Sequence, residues 1–263
     1  MATGVAAVLF RAGFQVVLTE TETPRAIRRT VAFGEAVRQG SVQVEGITAE
    51  LATSDGVHAV QSRSHIPVVV DPEATVRLAF EPDVLVDGIM SKCNAGGTSA
   101  NWAPLVIGLG PGFEAPSDCH AVVETQRGHY LGRFYDRGCA ARDSGMPAEV
   151  GGFSARRIVR SPASGRLDPV LEIGALVKEG DLLAYVAGAR VLAPLAGLVR
   201  GLLACDLDVS EGEKIGDVDP QGRLEQCHFI SDKARLIGSG VLAAILWHQA
   251  GRPGPLPSPP LEA

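Results

Sequence analysis

Apolar positions along the chain fall mainly into short runs closed by an acid or a glycine, which predicts buried strands. Ile66, Val68, Val69 and Val70 run up to Asp71, and Val84, Leu85 and Val86 run up to Asp87. Val106, Ile107 and Leu109 break into Gly110-Pro111-Gly112, and Ala121, Val122 and Val123 end at Glu124-Thr125. Elsewhere the spacing is helical. Val5, Val8 and Leu9 share a face of a helix over residues 1–12 that Gly13 stops, and a strand over 15–18 follows, with Glu20 at its end. Thr23-Pro24 reads as a cap and first position of a second helix that carries Arg25, Arg28 and Arg29. Residues 42–47 alternate and turn at Gly46, predicting a hairpin. A helix over 73–80 between the strands 66–71 and 84–87 makes a βαβ unit, and His58 and His65 flank a short polar helix.

A helix, a glycine, a strand and a terminal acid form the second half of a βαβ dinucleotide unit, in which Gly4 belongs to the glycine turn and Glu20 meets a ribose hydroxyl. The first strand of such a unit is missing, so the reading frame is expected to continue upstream of Met1. Helical spacing sets Arg25 to one side with Arg28 or Arg29, offering a fork for phosphate or carboxylate; the alternative is a solvated basic face pairing with Glu20 and Glu22.

The stretch 106–133 concentrates the candidate chemistry. Gly108, Gly110 and Gly112 permit close approach and positive φ, so successive N–H groups can face an anion, with Arg127 supplying fixed charge. His129 and Glu124 are the candidate acid–base groups. Asp118 and Glu124 either pair with Arg127 and His129 or hold a divalent ion, and His120 lies in the same stretch. An ordinary Gly-Pro turn with a solvated charged rim is the plain alternative. The polar, glycine-rich segment 88–102 adds Lys92, Asn94 and a third candidate, the thiol of Cys93. Residues 138–152, with Asp143, Ser144, Met146 and the Gly151-Gly152 pair, read as a linker or a long site loop.

From Ser161 the chain repeats at an offset of 32: Pro162 recurs as Pro194, Gly165 as Gly197, Val177 as Val209 and Gly180 as Gly212. An opening S/A-P-x-x-G followed by V-x-E-G-[DE] resembles the two halves of a barrel-sandwich hybrid of the biotinyl/lipoyl type. Carriers of that type present a lysine between the halves. Here Arg190 lies in the joining segment and no lysine stands between Lys178 and Lys214, so neither biotin nor lipoate is expected. Ser231-Asp232 caps a turn that sets Lys233 and Arg235 beside it and leads to an apolar helix over 241–247. The Pro-rich end reads as disordered.

Composition narrows the class. The chain has 263 residues, enough for two domains, and a net charge of −6 that argues against a nucleic-acid footprint or a polybasic membrane patch. No apolar run approaches the roughly 20 residues of a membrane helix. Five scattered cysteines, without a CxxC pair, suit neither a disulfide framework nor a zinc ribbon, and a reducing cytoplasm is the expected location.

Six segments together resemble the YqeB-type accessory proteins of selenium-dependent molybdenum hydroxylases. They are residues 1–6, 27–33, 44–47, 107–113, 124–129 and 230–235. The resemblance implies a role in maturing the molybdenum cofactor or inserting labile selenium. The client would be a molybdenum hydroxylase with its maturation factors, and the ligand a nucleotide or molybdopterin-type anion. An NAD-dependent oxidoreductase using Glu20, or a non-catalytic scaffold docking the client, are the alternatives, and a homo-oligomer is left open. The expected architecture is α/β. It places a partly parallel Rossmann-like domain over 1–152, a barrel-sandwich hybrid over 153–219, a C-terminal helical segment over 220–250 packing on the first domain, and a tail over 251–263.

Overall fold

The computed structural model describes residues 1–143, 155–254, 256, 258 and 259. Contacts divide the chain into two units that exchange segments along the sequence. Unit 1 comprises Met1–Thr19, Thr53–Ser144 and Ser231–Ala263; unit 2 comprises Glu20–Ala52 and Gly145–Ile230.

Unit 1 is organised on the strand Leu105–Leu109, every residue of which is buried. It runs parallel to Val84–Asp87 on one side and Ala121–Val123 on the other, and the short strand Phe134–Tyr135 closes the far edge antiparallel. Alternation assigns the two faces. Leu105, Ile107 and Leu109 join Val5, Leu9, Ile237 and Val241 from the first helix (Ala2–Arg11) and the last (Asp232–Gln249). Val106 and Val122 join Phe113 and Cys119 on the other face. Gly108 belongs to that second face, and a Cβ there would lie 2.4 Å from the Phe113 ring, so the glycine makes room for the aromatic. Each aliphatic side chain so buried is worth about 1.5–3 kcal/mol.

The first and last helices cross with almost no side chain between them. A Cβ on Gly4 would sit 2.5 Å from the Ala234 carbonyl oxygen, and one on Gly238 would sit 2.8 Å from the Gly4 carbonyl oxygen. Such contact is open only to glycine. The last helix starts at Ser231, whose hydroxyl accepts the Ala234 N–H at 3.2 Å, an N-cap of the kind its sequence foretells.

Unit 2 contains two four-stranded antiparallel sheets. In one, Ile158–Arg160, Lys214–Asp219, Gly197–Leu202 and Leu176–Val177 lie in that order; in the other, Ala189–Leu192, Leu182–Val186, Gly165–Pro169 and Asp208–Val209. The 32-residue repeat is physical: strands begin at Gly165, Leu176 and Leu182, and again at Gly197, Asp208 and Lys214. Pairing is exchanged between the copies, Gly165 standing opposite Val209 and Gly197 opposite Val177. Between the sheets lie Leu167, Leu183, Val199, Leu202, Ile215 and Val218. Arg200 bridges the buried carboxylates Asp217 and Asp219, at 2.5 and 3.1 Å, and Arg157 adds a second contact to Asp217 at 3.0 Å. Buried charges persist when paired in this way.

The expected fold class is overturned: the chain is neither a Rossmann-like sheet nor a free-standing barrel-sandwich hybrid. Its sheets are mixed or antiparallel. Ile66–Val70 and Val84–Asp87 belong to different sheets, so the segment between them, with a single helical turn at Arg77–Phe80, makes no βαβ unit. The crossover from Val84–Asp87 to Leu105–Leu109 holds only the 3₁₀ turn Ala100–Trp102, where a doubly wound sheet would place a full helix. The repeat, in turn, does not close on itself. Ile27 packs on its core, the Leu202 N–H donates to the Ile27 carbonyl at 2.8 Å, and Arg29 Nε donates to the Leu202 carbonyl at 2.8 Å.

The helix expected after Pro24 is likewise replaced by irregular chain and short 3₁₀ turns at Arg29–Val31 and Phe33–Glu35. The hairpin at Gly46 forms between Ser41–Val44 and Ile47–Ala52, with Glu45 and Gly46 both at positive φ (48° and 80°), as a tight primed turn requires. Ser144, Met146 and the Gly151-Gly152 pair of the expected linker lie outside the described residues, as does most of the segment beyond Gly254. Among the described residues, no helix is long and apolar enough to cross a membrane.

Candidate functional site

The C-terminal ends of the three parallel strands of unit 1 gather polar groups on one edge. Asp87 is buried there, accepting the Thr98 hydroxyl at 2.6 Å and the Ile89 N–H at 3.0 Å. Glu124 is 1% exposed and accepts the N–H groups of Gln126 and Ala141 at 2.7 and 2.8 Å. These carboxylates therefore fasten the loops that follow their strands. Gly88, next after Asp87, lies against Ala2, and Gly4 lies against Ala234, so both long helices begin at this edge and aim their positive ends toward it.

The glycine break takes the positive φ that its sequence implies, but the Gly110 N–H donates to the Val123 carbonyl at 2.9 Å instead of standing open to an anion. Gly110 has φ of 78°, and a Cβ there would meet the Thr125 hydroxyl at 2.4 Å. Gly112 has φ of 102°, and a Cβ there would meet the Cys93 backbone at 2.4 to 2.8 Å. Cys93, exposed, is thus brought to Gly112, although strand-ordered chemistry alone would not foretell it. Its neighbour Lys92 pairs with Asp143 at 2.5 Å.

Arg127 meets neither Glu124 nor Asp118. Its two terminal nitrogens donate to the two oxygens of Asp232, each at 2.7 Å. That fork holds the Asp232 carboxyl down at about 2, the Arg127 hydrogen bond being the main cause, and raises the Arg127 guanidinium in return. Lys233, next along, is half-buried and makes no hydrogen bond or ion pair of its own among the described residues. Burial is the main reason its ammonium is held below the ordinary lysine range; Arg127 adds to this, while Glu124, Asp143 and Asp232 pull the other way. Lys233 was visible in the sequence only as a neighbour of the Ser231-Asp232 cap.

The remaining candidates stand elsewhere. Asp118 accepts the Glu114 N–H at 2.9 Å and closes its own turn. His120 accepts the Val106 N–H on Nδ1 at 3.0 Å, and burial lowers its basicity. His129 is exposed and stacks edge-on against Tyr130, with ring centroids 5.1 Å apart. Among the described residues no cluster of three or more His, Cys, Asp or Glu side chains forms a metal site, Asp118 and Glu124 included. Glu20 and Arg28 belong to unit 2. Glu20 accepts the Thr21 N–H at 2.8 Å, and Arg28 donates to the carbonyls of Gln226 and Phe229. Arg25 donates to the Asp208 carbonyl and pairs with Glu213 at 2.7 Å, so the arginines of the supposed helix diverge to different sets of partners.

No family model matches the chain. Among solved structures, the product-bound ectoine utilization protein EutE (DoeB) from Ruegeria pomeroyi is 12% identical and covers 77% of this chain and 84% of its own, with a TM-score of 0.24. A succinylglutamatedesuccinylase/aspartoacylase from Rhodobacter sphaeroides is 10% identical, covers 77% of this chain and 83% of its own, and gives a TM-score of 0.27. In sequence, the chain is 48% identical over 252 residues to the Uncharacterized protein YqeB of Escherichia coli (strain K12), a match taking in 95% of this chain and 46% of that protein. The chain therefore spans about half the length of the relative it matches. The likeness runs across nearly the whole of this chain but less than half of that protein.

Proposed function

We propose that the chain is an accessory protein in the maturation of selenium-dependent molybdenum hydroxylases, working in the cytoplasm, and that it binds a nucleotide or pterin-phosphate-like anion at the strand-end edge of unit 1. The observation that carries this reading is Lys233, a half-buried ammonium without a hydrogen-bond partner among the described residues, set at the start of the last helix. A phosphate there gains a charge-assisted hydrogen bond from Lys233 and the favourable ends of two helices. The Gly110 N–H is taken up by the Val123 carbonyl at 2.9 Å, so of the glycine break only the Gly112 N–H is proposed as a further donor. Arg127 can pass one of its two bonds from Asp232 to the ligand, because that pair is exposed, at 43% and 65%. The client hydroxylase and its selenium or molybdopterin donors are part of the same proposal and rest on the family resemblance.

Calorimetric titration with a nucleoside diphosphate and with a pterin monophosphate tests the site. Wild-type protein should bind one of them, and Lys233→Ala should weaken it about ten- to a hundred-fold, the cost of one charged hydrogen bond. Equal affinity in the variant, or no binding by the wild type, would remove the proposal.

A further inference from the structure

We propose that unit 2 holds a second ligand site, a cavity for a small zwitterion with an ammonium at one end and a carboxylate at the other, of which free α-amino acids are the class. The cavity measures about 480 Å³ and is lined by Arg29, Glu35, Arg38, Gln39, Glu172 and Cys205, among others. That volume falls within the range of roughly 300–1,000 Å³ over which proteins hold small molecules.

The decisive group is Glu35, at the end of the 3₁₀ turn Phe33–Glu35. It is 1% exposed, yet its Oε1 has no hydrogen-bond partner among the described residues. Its other oxygen lies 3.8 Å from Arg38 Nε, beyond hydrogen-bond length. A buried acceptor left without a donor costs about 1–3 kcal/mol, and a charged one costs more. Burial accordingly holds the Glu35 carboxyl above the ordinary range, against the pull of Arg38 and Arg29. An incoming ammonium supplies the donor that the chain does not.

The far end is set by Arg29. Its Nε is tied to the Leu202 carbonyl at 2.8 Å, so the guanidinium is held along one edge. Among the described residues its Nη2 meets Glu172, at 3.5 Å, whose side chain is 85% exposed. A ligand carboxylate can take that place as a fork partner. Arg38 is anchored separately, donating to the Pro24 carbonyl at 2.7 Å.

Charge selects among ligands. Two arginines stand against two glutamates, so the walls sum to no net charge. A phosphate would leave Glu35 facing another anion, and a bare amine would leave Arg29 with Glu172 alone. A zwitterion satisfies both ends.

The test is calorimetric titration of the full chain with free amino acids and, for each that binds, with its N-acetyl and carboxamide derivatives. At least one free amino acid should bind, and both blocked forms should bind at least about tenfold more weakly, since each loses one charged contact. Glu35→Gln should weaken the free ligand by a similar factor, and Arg190→Ala, in the exposed hairpin, should not. Should Glu35→Gln melt early, the blocked ligands on wild-type protein still decide. The inference fails if no free amino acid binds at millimolar concentration, if either blocked form binds as well, or if folded Glu35→Gln keeps full affinity.

Discussion

Arg127 and Asp232 stand 105 positions apart in sequence and face each other through two hydrogen bonds of 2.7 Å. Through them the loop after Ala121–Val123 is fastened to the first turn of the last helix. The carboxyl of Asp232 is held at about 2, below its value in an unfolded chain. A depressed carboxylate contributes stability that is present above its unfolded range near pH 4 and is lost as pH falls through about 2. Because both side chains are largely exposed, the contribution should stay below about 1 kcal/mol. Asp232→Asn should therefore lower the melting temperature slightly at pH 7, and the gap from wild type should close between about pH 4 and 2. A gap unchanged at pH 2 would show that the pair is not its source.

If Lys233 holds the proposed anion, binding should depend on alkaline pH. Its ammonium is held below the ordinary lysine value of about 10.4, so charge is lost earlier on a rising pH scale than at an exposed lysine. Affinity for a phosphorylated ligand should fall as pH rises through that lowered value. Lys233→Arg should keep its charge and flatten the profile, which titrations across the alkaline range would reveal.

Replacing a glycine inside a helix by alanine ordinarily stabilises by about 0.5–1 kcal/mol. Gly238→Ala should do the reverse, because its Cβ would press within 2.8 Å of the Gly4 carbonyl and 2.9 Å of Val8. Forcing the helices apart should cost about 1–3 kcal/mol in urea denaturation. Unchanged or increased stability would mean that the crossing is looser than described.

Thiol labelling should separate the cysteines by burial. Cys93, Cys139 and Cys205 are exposed and should react in the native protein, whereas Cys119 and Cys227 are buried and should react only in denaturant. Burial pushes the Cys119 thiol up to about 11 and raises Cys227 as well, so little thiolate is present at neutral pH. Mass spectrometry showing native labelling at Cys119 would contradict this packing.

Several short local signals were legible. The strands before Asp87, Gly110 and Glu124, the hairpin at Gly46, the cap at Ser231 and the 32-residue repeat all read directly from residue order. Architecture was not, because it depends on which strands pair. Nothing in the apolar runs tells that Ile66–Val70 and Val84–Asp87 enter different sheets, or that a crossover lacks its helix. The arginines after Pro24 misled for a related reason. Helical spacing groups them, but Arg28 answers to carbonyls 198 and 201 positions away, and tertiary partners override a weak local preference. The candidate site was half visible. The glycine break and Arg127 were evident, while Asp232 as partner, Lys233 without a hydrogen-bond partner among the described residues and Cys93 against Gly112 emerge only from packing.

The exchanged pairing in unit 2 makes its two copies depend on each other. Leu176–Val177 finds its one sheet neighbour, Gly197–Leu202, in the other copy of the repeat, and Asp208–Val209 finds its own in Gly165–Pro169. Either copy alone would be left with a short strand unmatched and half its core open to water. The two copies are therefore expected to fold together or not at all, neither half being stable when expressed alone.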